Sequence, residues 1–324
     1  MMRHRLAALL VAATLVGCAA PSPTASPLRM PTRAPVTPTP TPVGPRVHYE
    51  AGLTYRATGQ TTQALAAFTR AMMVDPGFAP AYVERGAIYL RRGLYEKALA
   101  DAQAAVAADP DDARGHLLMG EVLRLGLDAH RQALSAYQRA IALEPDLAEE
   151  TFPARWRAAV AAGRPDRMIA LANEYLNAHP DDPLSAYYLG QALTARGSAD
   201  AAVETLVEEL EESSGPAALW FALGEAYAAQ GAWAEARTSF EQARALTEAR
   251  DASMVLVSDE PVADLFAALG EVYVHTGQCI DAETMLNHAL AVGGEEPELH
   301  TLMGRALICQ TPTPTPTPYP WLRE

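Results

Sequence analysis

The chain has 324 residues, 49% of them hydrophobic and only 7% aromatic, with a formal net charge of −14 and three cysteines. Abundant alanine with few aromatic residues disfavours one large globular core and suits a helical assembly held by neighbour contacts. From residue 183 to 310 there are 5 basic residues against 20 acidic ones, so nucleic acid is not expected as a partner, because phosphate binding needs clustered cations.

Residues 1–17 read as a leader. Arg3 and Arg5 precede an apolar run from Leu6 to Val16, which is too short to span a bilayer and has the form of a secretory signal. Its end, Leu15, Val16, Gly17 and Cys18, resembles the lipobox of bacterial lipoproteins. The resemblance implies cleavage before Cys18 and a diacylglycerol on that thiol; the alternative is an ordinary signal with a chance cysteine. Residues 18–44 interleave proline with threonine and serine. Such a segment cannot bury a core and favours polyproline II geometry at about 3.1 Å per residue, so the tether reaches on the order of 80 Å. Residues 311–324, TPTPTPTPYPWLRE, read as a second disordered segment.

Residues 45–310 repeat themselves. Gly52, Gly86, Gly120, Gly190, Gly224, Gly270 and Gly304 are separated by 34 residues, or by multiples of it with 2 or 12 residues inserted. Three positions after each glycine stand Tyr55, Tyr89, Leu123, Leu193, Tyr227, Tyr273 and Leu307. Gly59, Gly93, Gly163, Gly197, Gly231 and Gly277 mark a turn, and Ala64, Ala98, Ala133, Ala202, Ala236 and Ala282 follow in the next helix. In the best copies, such as 217–250, apolar residues recur at helical intervals on both sides of the turn glycine. Each half is near the length at which an isolated helix is marginal in water, so the units must stack on one another. One copy departs from the pattern: between Ala148 and Asp182, Trp156 replaces the glycine and Met168 the alanine. Close helix packing is expected to be lost there, with a late start or a kink at Pro153. Irregular backbone is expected around Pro153 and from Asp251 to Val262, where the 12-residue insertion falls.

These columns resemble the tetratricopeptide repeat family over about 265 residues, from Arg46 to roughly Gln310. The resemblance implies an all-α, right-handed α-solenoid of about seven helix-turn-helix repeats and a final capping helix. It also implies a concave face lined by the first helix of each repeat, and it is unspecific as to function. The family's carboxylate clamp needs Lys and Asn early in that groove; Tyr49 and Leu53 stand there instead.

No GxSxG, HExxH, CxxC, GxxxxGK[ST] or glycine-rich phosphate loop is present, so no nucleophile–base constellation points to an enzyme. His48, His116, His130, His179, His275, His288 and His300 are scattered without a second ligand at i+3 or i+4, and no metal, cofactor or small-molecule substrate is expected. The concave stripe places Tyr49, Leu53, Arg56, Val83, Leu90, Leu117, Glu121, Arg124, Arg157, Tyr187, Gln191 and Glu225 in a groove. Arginines lie toward its start and glutamates toward its end. A mixture of apolar anchors and oriented charges suits an extended peptide or a partner helix; the alternative is that the apolar members only pack between repeats. Cys279 opens a second helix and Cys309 closes the capping helix, so both fall on one edge, as a disulfide or as two packed thiols.

The sequence thus points to a lipid-anchored scaffold on the extracytoplasmic face of a bacterial cell envelope, binding a protein or peptide partner and touching the membrane through its anchor alone. A structural spacer, or an assembly factor for pilus or envelope complexes with an empty groove, is the second reading. Cys18→Ala is expected to move the protein from the detergent phase to the aqueous phase or to leave its signal uncleaved; unchanged partitioning would refute the anchor.

Overall fold

The structure is a computed structural model, and it describes residues 43–212, 215–258, 260–293 and 297–310; Cys18, the leader, the tether and residues 311–324 lie outside them. The described residues are helical and connected by short turns, with no strand among them. Seven antiparallel hairpins follow in order. The first three are α1 (Pro45–Ala57) with α2 (Thr61–Val74), α3 (Ala79–Arg91) with α4 (Tyr95–Ala108), and α5 (Ala113–Gly126) with α6 (His130–Leu143). Next come α7 (Leu147–Ala161) with α8 (Pro165–Ala178) and α9 (Leu184–Ala195) with α10 (Ala199–Glu212). The series continues with α11 (Ala217–Gln230) and α12 (Trp233–Glu248), a one-turn α13 (Ser253–Val257), then α14 (Pro261–His275) with α15 (Cys279–Gly293). The closing helix is α16 (Pro297–Gln310).

The hairpin turns need a left-handed residue, and glycine supplies it without steric cost: φ is +74° at Gly59 and +78° at Gly231, for example. The third hairpin lacks a turn glycine, and there Asp128 takes φ +49°. Aspartate is among the few residues that tolerate this region.

The first-helix glycines have a different task. A Cβ on Gly52 would lie 2.5 Å from the Phe68 ring, one on Gly224 2.6 Å from Phe240, and one on Gly190 2.7 Å from Leu206. Each large side chain is fully buried or nearly so, and it lies directly over bare backbone of the partner helix. Small against large at this spacing sets the distance between the two helices of a hairpin. Gly304 has open space around its Cβ position among the described residues, where α16 has no second helix of its own hairpin.

The fourth hairpin exchanges the two sizes. Trp156 is 3% exposed where the others have glycine, and Ala172 is fully buried at the position that carries Phe68, Leu206, Phe240 and Leu286 in the first, fifth, sixth and seventh hairpins. This exchange conserves volume only in part, and α7 packs less closely on α8 than the helices of any other hairpin do on each other. The late start expected at Pro153 is absent: α7 begins at Leu147 and continues to Ala161 with Pro153 inside it. Tertiary contacts hold both sides of the proline, with Phe152 and Trp156 buried against Tyr188 at ring-centroid distances of 4.8 and 4.7 Å.

The insertion is also more ordered than its sequence suggests. Met254 in α13 is 1% exposed and joins the main apolar core. Asp251 accepts a hydrogen bond from the Ala217 backbone N–H at 3.1 Å, and the Ser253 hydroxyl accepts one from Ala218 at 3.0 Å. These bonds satisfy donors that the start of α11 would otherwise leave unpaired. Burial pushes the Asp251 carboxyl up, but the hydrogen bonds from Ser253 and Ala217 outweigh it and hold the group below its ordinary value. At the other end of the chain Cys279 and Cys309 are disulfide-bonded, with Cα atoms 5.6 Å apart.

Gly224→Ala is expected to lower stability by about 1–3 kcal/mol through overpacking against Phe240. Gly304→Ala, in open space within a helix, is expected to be neutral or stabilising by up to about 1 kcal/mol. Urea denaturation midpoints of the two variants check this; equal losses at both sites would refute the assigned role of the glycine column.

Candidate partner-binding groove

First helices from α5 onward, together with the α13 insertion, enclose a cleft of about 640 Å³. Its apolar surface comes from Trp156, Tyr187, Phe221, Met254 and Leu302. Charge is distributed along it by sequence order. Arg124 and Arg157 come from α5 and α7, while Glu225, Asp264, Glu271 and Glu298 come from α11 to α16. The cleft therefore carries cations at one end and carboxylates at the other.

Several of these groups are positioned by partners. Arg124 donates to Glu121 at 2.9 Å and to the Tyr137 hydroxyl at 3.3 Å, and that hydroxyl donates to Glu121 at 2.7 Å. The triad joins α5 to α6 and orients the Arg124 guanidinium. Burial first, and the neighbouring Glu121 carboxylate second, push the Tyr137 hydroxyl well above its ordinary value, so it stays a donor. Gln191 on α9 donates to Glu225 on α11 at 2.6 Å, and Ser258 donates to Asp264. Burial pushes the Glu225 carboxyl up to about 7; the Gln191 hydrogen bond opposes this and the nearby Asp264 charge adds to it. Near neutral pH the acidic end of the cleft therefore changes charge with small changes of pH.

Of the residues singled out from the sequence, Arg124, Arg157, Tyr187, Gln191 and Glu225 line this cleft. Glu121 stands behind Arg124 and holds it. Arg56 pairs instead with Glu84, bridging α1 and α3, and Val83 is half-buried on α3. Tyr49 and Leu53 pack on the buried cluster around Phe68, with Tyr49 also 5.4 Å from the Phe78 ring. Leu90 packs on the cluster of Ala98, Ala102 and Leu118, and Leu117 on those around Tyr137 and Ala140. These four apolar residues are half-buried, each packed in part on neighbouring side chains, and none lines the cleft. A helix flanked by neighbours on both sides needs an apolar stripe wider than its open face, so periodicity marks both as one. His130, Met254, Asp264 and Glu298 line the cleft and were not singled out, whereas Glu271, one position after Gly270, lines it on the same first-helix stripe as Glu225. Only Met254 carried a local signal, as part of an apolar run inside an insertion.

Among the described residues no cluster of His, Cys, Asp or Glu has the arrangement of a metal site. No described helix is long and apolar enough to cross a membrane.

Stacked two-helix units with a common glycine geometry make this an α-helical repeat protein. Tetratricopeptide repeat models match residues 55–122, 154–216 and 217–249, together just over half of the chain. The chain belongs to the tetratricopeptide repeat family, whose members bind protein or peptide partners and are generally not enzymes. A tetratricopeptide repeat protein from Parabacteroides merdae superposes with a TM-score of 0.62 at 15% identity, over 81% of this chain and 98% of that one. The C-terminal part of a repeat protein from Cytophaga hutchinsonii gives a TM-score of 0.50 at 15% identity, over 79% and 99% of the two chains. At such identities the likeness is one of fold. Outer dynein arm-docking complex subunit 4 from Mus musculus is 36% identical over 88 residues, which span 27% of this chain and 14% of the mouse protein.

The folded Glu225 carboxyl holds its proton up to about pH 7, against 4.5 for the ordinary group. Between these values the folded state binds more protons than the unfolded one, so stability falls as pH rises from 4.5 to 7 and then levels. Glu225→Gln is expected to stabilise the protein at pH 8 by up to about 3 kcal/mol and to leave it unchanged near pH 4. Thermal melts across that range check the sign; an unaltered pH slope in the variant would refute it.

Proposed function

We propose that the protein is a lipid-anchored scaffold of the bacterial cell envelope whose cleft receives an extended peptide or a helix of a protein partner. The separation of Arg124 and Arg157 from Glu225, Asp264 and Glu271 along one cleft carries this reading. Apolar contacts with Trp156, Phe221 and Met254 supply affinity, while the opposed charges fix the direction in which a partner lies and disfavour the reversed one. A ligand with acidic residues toward the α5 end and basic residues toward the α14 end satisfies both. The Cys18 anchor and the proline-rich tether of residues 18–44 hold the repeats away from the membrane surface. The polar groups of the cleft are already engaged by Glu121, Gln191 and Ser258, which suits a binding role.

Crosslinking in intact cells, followed by mass spectrometry of the captured proteins, identifies the partner. Arg124→Glu with Arg157→Glu is expected to reduce recovery of that partner at least tenfold while the helical circular dichroism is kept. Undiminished recovery would place binding elsewhere and favour a spacer with an empty groove.

A further inference from the structure

The loosened fourth hairpin has opened a second cavity, of about 540 Å³, at the edge where α8 ends and α7 and α9 begin. Its floor is aromatic: Phe152, Tyr175 and Tyr188 lie with each pair of ring centroids 4.8 Å apart. Leu256, in the last turn of α13, forms part of its wall and is 60% exposed, so the insertion presents an apolar side chain to the cavity instead of closing it. The cavity is distinct from the cleft, although α7 and α13 contribute to both. Trp156, Arg157, Met254 and Val257 line the cleft, whereas Phe152, Pro153 and Leu256 line the cavity.

Its charge is one-sided. Asp146, Glu149 and Glu174 line the cavity. Glu174 is already compensated by Arg155, whose guanidinium donates to it at 2.6 and 3.0 Å. Asp146 and Glu149 are exposed and have no ion pair or side-chain hydrogen bond among the described residues. An aromatic floor beneath carboxylates favours a cation with an apolar body. Ring faces attract guanidinium and ammonium groups, while a carboxylate fixes the charged end.

We propose that this cavity is a second binding site, for a bulky apolar side chain carried beside an arginine or lysine in a partner's segment. The apolar group packs over Phe152 and Tyr188 against Leu256, and the cation meets Asp146 and Glu149. The cavity exists in this chain because Trp156 stands at a glycine position and because an insertion brings Leu256 across; a regular repeat has neither feature. The proposal does not depend on the cleft's being occupied.

Fluorescence anisotropy of labelled peptides on the full chain tests it. The peptide Gly-Arg-Leu-Trp-Arg-Gly is expected to bind at least tenfold tighter than Gly-Glu-Leu-Trp-Glu-Gly or Gly-Arg-Ser-Ser-Arg-Gly. Asp146→Lys with Glu149→Lys is expected to weaken it at least tenfold, and Leu256→Asp at least fivefold. All three positions are exposed, so the variants retain the fold. Arg124→Glu with Arg157→Glu is expected to leave this binding unchanged, which separates failure of this site from failure of the cleft. Equal affinity for the three peptides, or undiminished binding by the charge-reversed variant, would overturn the proposal. So would a tenfold gain in affinity on removing residues 311–324, since the chain's own Trp321, Leu322 and Arg323 would then be the occupant.

Discussion

In a repeat protein of short helices, the contact on which everything else depends is the one that lets two helices of a hairpin approach closely. Here it is a bare glycine backbone beneath a large buried side chain, Gly52 under Phe68 and Gly224 under Phe240. A single added methyl would need room that those rings already fill. Because this geometry recurs along the chain, successive hairpins stack with their first helices side by side, and residues far apart in sequence come to line one cleft. Arg124 on α5 and Glu298 on α16 share that cleft although no local interaction joins them. Neither helix of a hairpin is long enough to be stable alone, so the cleft is a product of stacking and not of any one repeat.

Both candidate sites lie where the rule is broken. With Trp156 in place of glycine and Ala172 opposite it, the fourth hairpin keeps a filled core but not the close approach. The space so created is floored by Phe152, Tyr175 and Tyr188. The 12-residue insertion then supplies what a regular repeat lacks: Met254 seals the core, Ser258 and Val257 extend the cleft, and Leu256 turns toward the cavity. Asp251 and Ser253 fix the insertion to the start of α11, where unpaired backbone N–H groups and the helix dipole favour an anionic acceptor. The insertion is therefore held by polar bonds at its start and by one buried methionine, and its outer residues Val255 and Leu256 stay exposed.

The parts of this architecture that depend on spacing were legible in the sequence. The 34-residue columns mark the hairpins, the turn glycines mark the left-handed residues, and the misfit of Trp156 and Met168 marks the loosened hairpin. Arg124, Arg157, Gln191 and Glu225 were also legible, since they fall on the first-helix stripe and reach the cleft. Leu90 and Leu117 share that stripe, yet they are half-buried against neighbouring side chains and lie outside the cleft, because a periodicity of 3.6 does not distinguish a face covered by a neighbour from one left open. Pro153 signals a late helix start only locally, and the aromatic packing around Phe152 and Trp156 overrides it. Asp264 and Glu298 were out of reach of the sequence, since they lie off that stripe and their place in the cleft follows from the curvature accumulated over several repeats.

That curvature gives the last helix more than a capping role. Among the described residues α16 packs on α14 and α15, and Gly304 faces open space, so stacking alone holds it less firmly than the helices before it. Its C-terminal end is fastened by other means: the Cys279–Cys309 disulfide, and Gln310, which donates to the Cys279 carbonyl at 3.2 Å and to Glu283 at 2.8 Å. A bridge across a sequence separation of 30 residues stabilises by roughly 3 kcal/mol in the chain-entropy model. Since Glu298, Leu299 and Leu302 on the same helix line the cleft, this restraint also fixes the acidic end of the binding surface. Loss of the bridge would therefore act first on the cleft, by letting α16 fray, before it reached the glycine contacts that hold the earlier repeats.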